Sequence, residues 1–283
     1  MKGVDCVTTL VELLKAALFG IVEGVTEWLP VSSTGHMILL DEFVKLKVSD
    51  AFYSMFEVVI QLGAILAVIL LFFHKLNPLA PKKTAEEKSK TWQLWFKVIV
   101  AVLPSAVIGL ALDDWMDAHL YNYVVVAITL IVYGVAFLFV EKFNQSRTLK
   151  CESVYDIDYK TAIFIGCFQC LSLIPGTSRS GATILGAILL GVARPAGAEF
   201  SFFLAIPTML GASALKLLKF LLSGTPAGGL EIGVLAVGCA VSFVVSLLVI
   251  KALMEYVRKH SFSVFGIYRI VLGALVLGYF FLK

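Results

Sequence analysis

Gly20-Ile-Val-Glu-Gly-Val-Thr-Glu-Trp-Leu-Pro-Val-Ser-Ser-Thr-Gly-His36 is a polar island in an apolar chain. Its seventeen residues hold two carboxylates, four hydroxyls and one histidine. Glu23 and Glu27 are four apart, so a helix puts both on one face. Pro30 is expected to end that helix, because the residue before a proline is biased away from the α region. Ser32, Ser33 and Thr34 then stand where a following helix needs its cap, beside free N–H groups and a positive dipole end. The stretch offers acids for a cation and helix-terminal donors for an anion.

The surroundings of that island are set by composition. The 283 residues are 59% hydrophobic and 15% charged, and the mean hydropathy is +0.93. Soluble domains carry about 25% charged residues, so the chain reads as an all-α polytopic membrane protein. One membrane domain over 1–283 is expected, not the two soluble domains that length alone suggests. The net charge of +3 is small and the basic residues fall in loops. Membrane lipids are therefore the expected surroundings, and a nucleic-acid partner is not expected. The five cysteines form no framework, and Cys167 and Cys170 read as small packing residues in an apolar helix. The N-terminal apolar run is followed by Glu23 and not by a small-residue cleavage pattern, so it reads as retained.

Apolar runs long enough to span a bilayer are expected at 52–73, 94–112, 123–141, 200–222, 232–252 and 264–282. Pro104 is a kink candidate in the second. The loops 74–93, 142–160 (with Lys142, Arg147, Lys150 and Lys160) and 253–263 are basic, hence cytoplasmic by the positive-inside rule. The loops 113–122 and 223–231 carry no Lys or Arg and belong outside. Two shorter pieces, 161–174 and 182–193, flank Pro175-Gly-Thr-Ser-Arg-Ser-Gly181, and neither reaches the ~20 residues a span needs. Both ends of 161–193 must lie inside, so the pair is expected to be a re-entrant hairpin. Non-helical backbone at that depth is tolerated only where protein or a wet cavity covers it.

The halves resemble each other. Gly20, Glu23, Pro30, Ser33, Gly35, Ile38 and Leu39 match Gly166, Gln169, Pro175, Ser178, Gly181, Ile184 and Leu185 at a shift of 145 or 146. Three spans follow each motif, in opposite directions. The expectation is an inverted-topology repeat, 10–141 against 160–282, with two re-entrant hairpins (10–40 and 161–193) and six transmembrane helices. Sites in such folds lie near the midplane, between broken helices.

An ionisable side chain at the bilayer centre costs ~2.5–3.5 kcal/mol on insertion scales, which marks Glu23, Glu27, His36 and Arg179 as functional candidates. Arg179 offers a planar fork suited to phosphate oxygens. Ser178, Ser180 and Thr183 stand beside it, and Ser32 and Thr34 flank the other helix start. The paired acids Glu23 and Glu27 suit a hard divalent cation, Mg²⁺ or Ca²⁺. The set describes a site for a metal-bound phosphate or diphosphate. Ser33 or His36 would supply the nucleophile and the other a proton, or Glu27 would take the proton; a metal-bound water is a third nucleophile. No GxxxxGK[ST] loop occurs, no Cys has an Arg six positions on, and Leu185 stands where a lipid-phosphatase pattern would need a His. Asp158 reads as a helix N-cap.

Glu23-Gly-Val-Thr-Glu27-Trp-Leu-Pro-Val-Ser-Ser-Thr-Gly-His36 and Pro175-Gly-Thr-Ser-Arg-Ser-Gly-Ala-Thr183 resemble the two signature motifs of the undecaprenyl-diphosphate phosphatase (bacitracin-resistance protein) family. The resemblance covers nearly the whole chain, including Phe56-Glu-Val-Val-Ile-Gln-Leu-Gly63 and Glu199-Phe-Ser-Phe-Phe-Leu-Ala-Ile-Pro207. It implies a bacterial inner-membrane enzyme that takes one phosphate from a C55 polyprenyl diphosphate and recycles the carrier lipid for cell-wall synthesis. It also implies a divalent cation and a site open to the outer face. The family's acidic pair falls on Glu23 and Glu27, its serine and histidine on Ser33 and His36, and its phosphate-binding arginine on Arg179. The architecture alone would also suit a transporter or flippase of the carrier lipid. The sequence fixes no oligomeric state.

Overall fold

A computed structural model describes residues 2–144 and 149–282; Arg147, counted above in a basic loop, lies outside the described residues. The described chain is helical, with a single isolated bridge between Cys151 and Val192. Six helical segments are long and apolar enough to cross a membrane, as a multi-pass membrane protein requires. They are α3 with α4 (Asp50–Val59 and Gln61–Leu71), α6 (Ala85–Leu120), α7 (Tyr123–Asn144), α10 (Arg194–Leu222), α11 (Gly229–Lys259) and α12 (Ser263–Leu282). The others are α1 (Lys2–Thr26), α2 (Ser33–Phe43), the single turn α5 (Phe73–Leu76), α8 (Tyr159–Cys170) and α9 (Arg179–Leu189).

The spans agree with the apolar runs in number and order, and differ at their ends. α6 begins inside the loop read at 74–93, because Thr84 and Glu87 form a reciprocal capping box (Glu87 N–H to Thr84 Oγ1 3.2 Å, Thr84 N–H to Glu87 Oε2 2.7 Å). Its far end also runs through most of 113–122, since polarity does not by itself stop a helix. The span read as continuous over 52–73 is broken at Ile60. α1 stops at Thr26, before Pro30, and a turn carries the chain over 27–31.

Packing follows from the pattern of small residues. α1 lies along α11, α6 along α8, α4 along α11 and α7 along α12. A Cβ on Gly20 would stand 2.7 Å from the Gly238 carbonyl oxygen, and one on Gly166 would stand 2.1 Å from that of Ala101. Both crossings need a bare backbone, as small residues commonly provide between helices in lipid. The core centres on Trp28, Phe200, Phe202 and Phe203, with a second cluster around Phe19, Phe52 and Phe56. Large apolar side chains such as Leu66, Phe96, Leu110, Phe139 and Leu248 point outward. A soluble monomer rarely shows so much apolar surface, and lipid covers it at no cost. α7 touches both α2 and α9, so the two motif segments meet over it.

Candidate active site

Each motif makes a turn and then starts a helix with the same device. Ser32 caps α2, accepting from the Gly35 N–H at 3.2 Å, and Ser178 caps α9, accepting from the Gly181 N–H at 3.1 Å. Both serines hold positive φ, 74° and 71°. That region is sparsely populated by L-residues other than Gly, and such strain clusters at functional sites. The caps shift the sequence matching by one: Ser178 answers to Ser32, not Ser33. Ser33 and Arg179 are thus the first residues of their helices.

Those two residues meet through Glu27. The Ser33 hydroxyl donates to Glu27 Oε2 at 2.7 Å, and Arg179 Nη2 donates to Glu27 Oε1 at 3.2 Å. Arg179 Nη1 donates to the Ser201 carbonyl at 2.7 Å, and its guanidinium lies 5.9 Å from the Trp28 ring. Arg179 Nε is buried with no partner. A cavity of about 200 Å³ opens on Glu27, Ser33, Thr34, Ser178 and Arg179. Gly176 also lines it, at φ 88°, where a Cβ would sit 2.1 Å from Thr129 Oγ1. The arrangement presents a hydroxyl, a base touching it and a cation to one space, which suits attack on an anionic phosphorus centre.

The remaining expected residues divide. Thr34 and Ser178 face the cavity as expected. Ser32 is spent on its cap. Ser180 turns away, donating to the Glu27 and Leu29 carbonyls at 3.0 and 3.2 Å. Thr183 hydrogen-bonds the Arg179 carbonyl (2.9 Å) and the Ser201 hydroxyl (2.7 Å). Both are fully buried and hold the motifs together instead of lining the cavity. His36 does not reach Ser33. Its Nδ1 lies 2.7 Å from the Ser32 carbonyl and its Nε2 2.7 Å from the Tyr268 hydroxyl, with the two rings stacked. The carbonyl can only accept, which puts a proton on Nδ1 and leaves Nε2 of the neutral ring to accept from Tyr268. Glu23 is buried with Oε1 unpartnered, on a smaller cavity beside the first. Among the described residues no three His, Cys, Asp or Glu side chains gather as a ready metal site.

Sequence reasoning missed four residues. Glu57 and Gln61 line the small cavity. Arg269 is fully buried and donates to the Pro30 carbonyl (3.1 Å) and the Gly176 carbonyl (2.9 Å), one in each motif turn. Tyr268 holds His36. Glu57 and Arg269 carried a signal, a charge within an apolar span, and Gln61 lies with Glu57 in the quoted stretch 56–63; nothing local marks Tyr268.

A family model described as Bacitracin resistance protein BacA matches residues 16–275. An undecaprenyl-diphosphatase of Lactiplantibacillus plantarum is 59% identical over 271 residues, 96% of this chain and 98% of that protein. One from Enterococcus faecalis is 59% identical over 267 residues, covering 94% and 97%. One from Streptococcus pyogenes serotype M5 is 56% identical over 274 residues, covering 97% and 98%.

Proposed function

Because the chain belongs to the bacitracin resistance protein BacA family, we propose that it hydrolyses undecaprenyl diphosphate to undecaprenyl phosphate and inorganic phosphate. The reaction returns the carrier lipid to cell-wall synthesis and confers bacitracin resistance. The relatives carry a hydrolase's name, which favours this activity over lipid transport. The observation that carries the reading is Glu27, touching the Ser33 hydroxyl from one oxygen and Arg179 from the other.

The steps follow from those contacts. Arg179, Ser178 and the N-terminal N–H groups of α2 and α9 hold the diphosphate in the larger cavity. Ser33 Oγ attacks the terminal phosphorus while Glu27 Oε2 takes its proton. The Oγ–P bond forms, the bridging P–O bond breaks and undecaprenyl phosphate leaves with the proton. Water then attacks the phosphoserine, Glu27 relays the water's proton to Ser33 Oγ, and phosphate departs. His36, pinned at both nitrogens, orients the start of α2 instead of attacking. A divalent cation, Mg²⁺ or Ca²⁺, would neutralise phosphate charge when bound. Glu23 fits it best, because its buried Oε1 lacks a partner, whereas both Glu27 oxygens are engaged.

The same reading takes α1–α2 and α8–α9 as re-entrant hairpins, from outside and from the cytoplasm, in an inverted repeat of 10–141 and 160–282. Paired strained caps, the equal lengths of α2 and α9 (11 residues each) and the tight crossings at Gly20 and Gly166 support it. The enzyme lies in the inner membrane with its cleft open to the outer face. Purified protein in detergent, given a polyprenyl diphosphate and Mg²⁺ or Ca²⁺, is expected to release phosphate, and Ser33→Ala to release almost none. No release by the wild-type protein with either cation overturns the reading; full activity in Ser33→Ala overturns the nucleophile.

A further inference from the structure

We propose that Glu57 and Gln61 complete the divalent-cation site, so that the ion is held between α1 and the α3/α4 break and not by the Glu23–Glu27 pair alone. A cavity of about 30 Å³ lies beside the larger one, lined by Glu23, Ser33, Thr34, Glu57 and Gln61. These five present oxygen, the donor that Mg²⁺ and Ca²⁺ select, and Met37, Val58 and Tyr121 complete the wall. The volume exceeds the ~10–15 Å³ that one water needs and suits a single small ion.

The strongest pointer is Glu23. It is 1% exposed, and its Oε1 has no hydrogen-bond partner. A buried carboxylate oxygen left bare is costly and calls for an ion or proton opposite it. Glu27 is the less free ligand, because each of its oxygens already accepts a hydrogen bond, from Ser33 and from Arg179. Across the small cavity the helix break supplies what is missing. Glu57 stands near the end of α3 and Gln61 opens α4, and both line the same chamber. Two carboxylates and neutral oxygens make an incomplete shell, as Mg²⁺ sites that recruit substrate phosphate have.

The chambers also share a wall. Ser33, Thr34, Val58 and Gln61 line both, and Arg179 and Ser178 line the larger. An ion held in the small chamber would adjoin a phosphate bound in the large one and could draw on its oxygens. The ion's role in turnover rests on the phosphatase reading; its binding does not.

The test separates the two. Mn²⁺ binding to the full-length protein in detergent, without substrate, is measured by the electron spin resonance of the free ion, with Ca²⁺ by calorimetry as a second probe. Glu57→Gln and Glu23→Gln are each expected to weaken binding about tenfold or more, and Glu27→Gln less than about threefold. Glu57→Gln binding within threefold of wild type overturns the proposal, as does a wild-type protein that binds neither ion. Should Glu57→Gln not fold, Gln61→Met is judged by the same threefold threshold. Phosphate release is followed in parallel. Cation binding that depends on Glu57 without any release sinks the phosphatase reading and keeps the site; release with Glu57-independent binding does the reverse.

Discussion

Glu27 holds the Ser33 hydroxyl and the Arg179 guanidinium at once. Glu27→Gln keeps the size and can keep both contacts, but it cannot take a proton. Its kcat is expected to fall about 10²–10⁴-fold with little change in melting temperature; a variant within tenfold of wild type would remove Glu27 as the base. Arg269 makes the contrasting case. Its charge serves two backbone carbonyls, so Arg269→Met strands both, at about 1–3 kcal/mol each. The expected result is a clearly lower melting temperature, with Arg269→Lys between the two because a point donor lacks the fork. Wild-type melting in the Met variant would show that the clamp bears no load. The acids and serines of the two motifs were legible because they interrupt an apolar run. Arg269 interrupts an apolar run too, but singly, and Glu57 lies in a quoted stretch (56–63) that pointed to no chemistry by itself. Tyr268 was hidden for another reason: its bond to His36 spans 232 residues, and only the packed fold makes them neighbours.

At the scale of elements, run length foretold the spans and proline foretold the turns, while breaks without a proline stayed hidden. Ile60 interrupts its span with no Pro or Gly beside it. The start of α6 was legible in principle, since Thr84 and Glu87 have the capping-box spacing. The Asp158 cap was foreseen, and its carboxylate accepts from the Thr161 N–H at 2.7 Å. That backbone hydrogen bond holds the carboxyl below the usual range. A depressed folded value gives stability above the unfolded value of about 3.9 that is lost as pH falls through the folded one. Asp158→Ala is therefore expected to cost about 1 kcal/mol near neutral pH. The gap from wild type should close below about pH 4; a gap constant across that range would mean that charge plays no part.

At the scale of the molecule, the orientation came from loop charge alone, and the helices give that rule something definite to act on. Lys82 and Ala227 are exposed in loops at opposite ends of this scheme. In a cysteine-free background, an impermeant maleimide applied to intact cells is expected to label Ala227→Cys. Lys82→Cys should label only after permeabilisation. The opposite pattern would invert the assignment and turn the cleft toward the cytoplasm. On the basic side, Lys75 of the single turn α5 pairs with Glu199 of α10 and Arg194 of α10 with Glu141 of α7, and Glu141 also accepts from the Phe262 N–H. Loop charges were visible in the sequence, but which acid each base would meet was not.

Arg269 sits on the last helix, yet it braces turns made at residues 30 and 176. A ribosome delivers those turns to the membrane long before it delivers their brace. Until that helix is in place, the two turns are joined by the Ser180 and Arg179 contacts but lack the donor they share. A copy stalled before residue 269 would therefore lack the one side chain that donates to both turns.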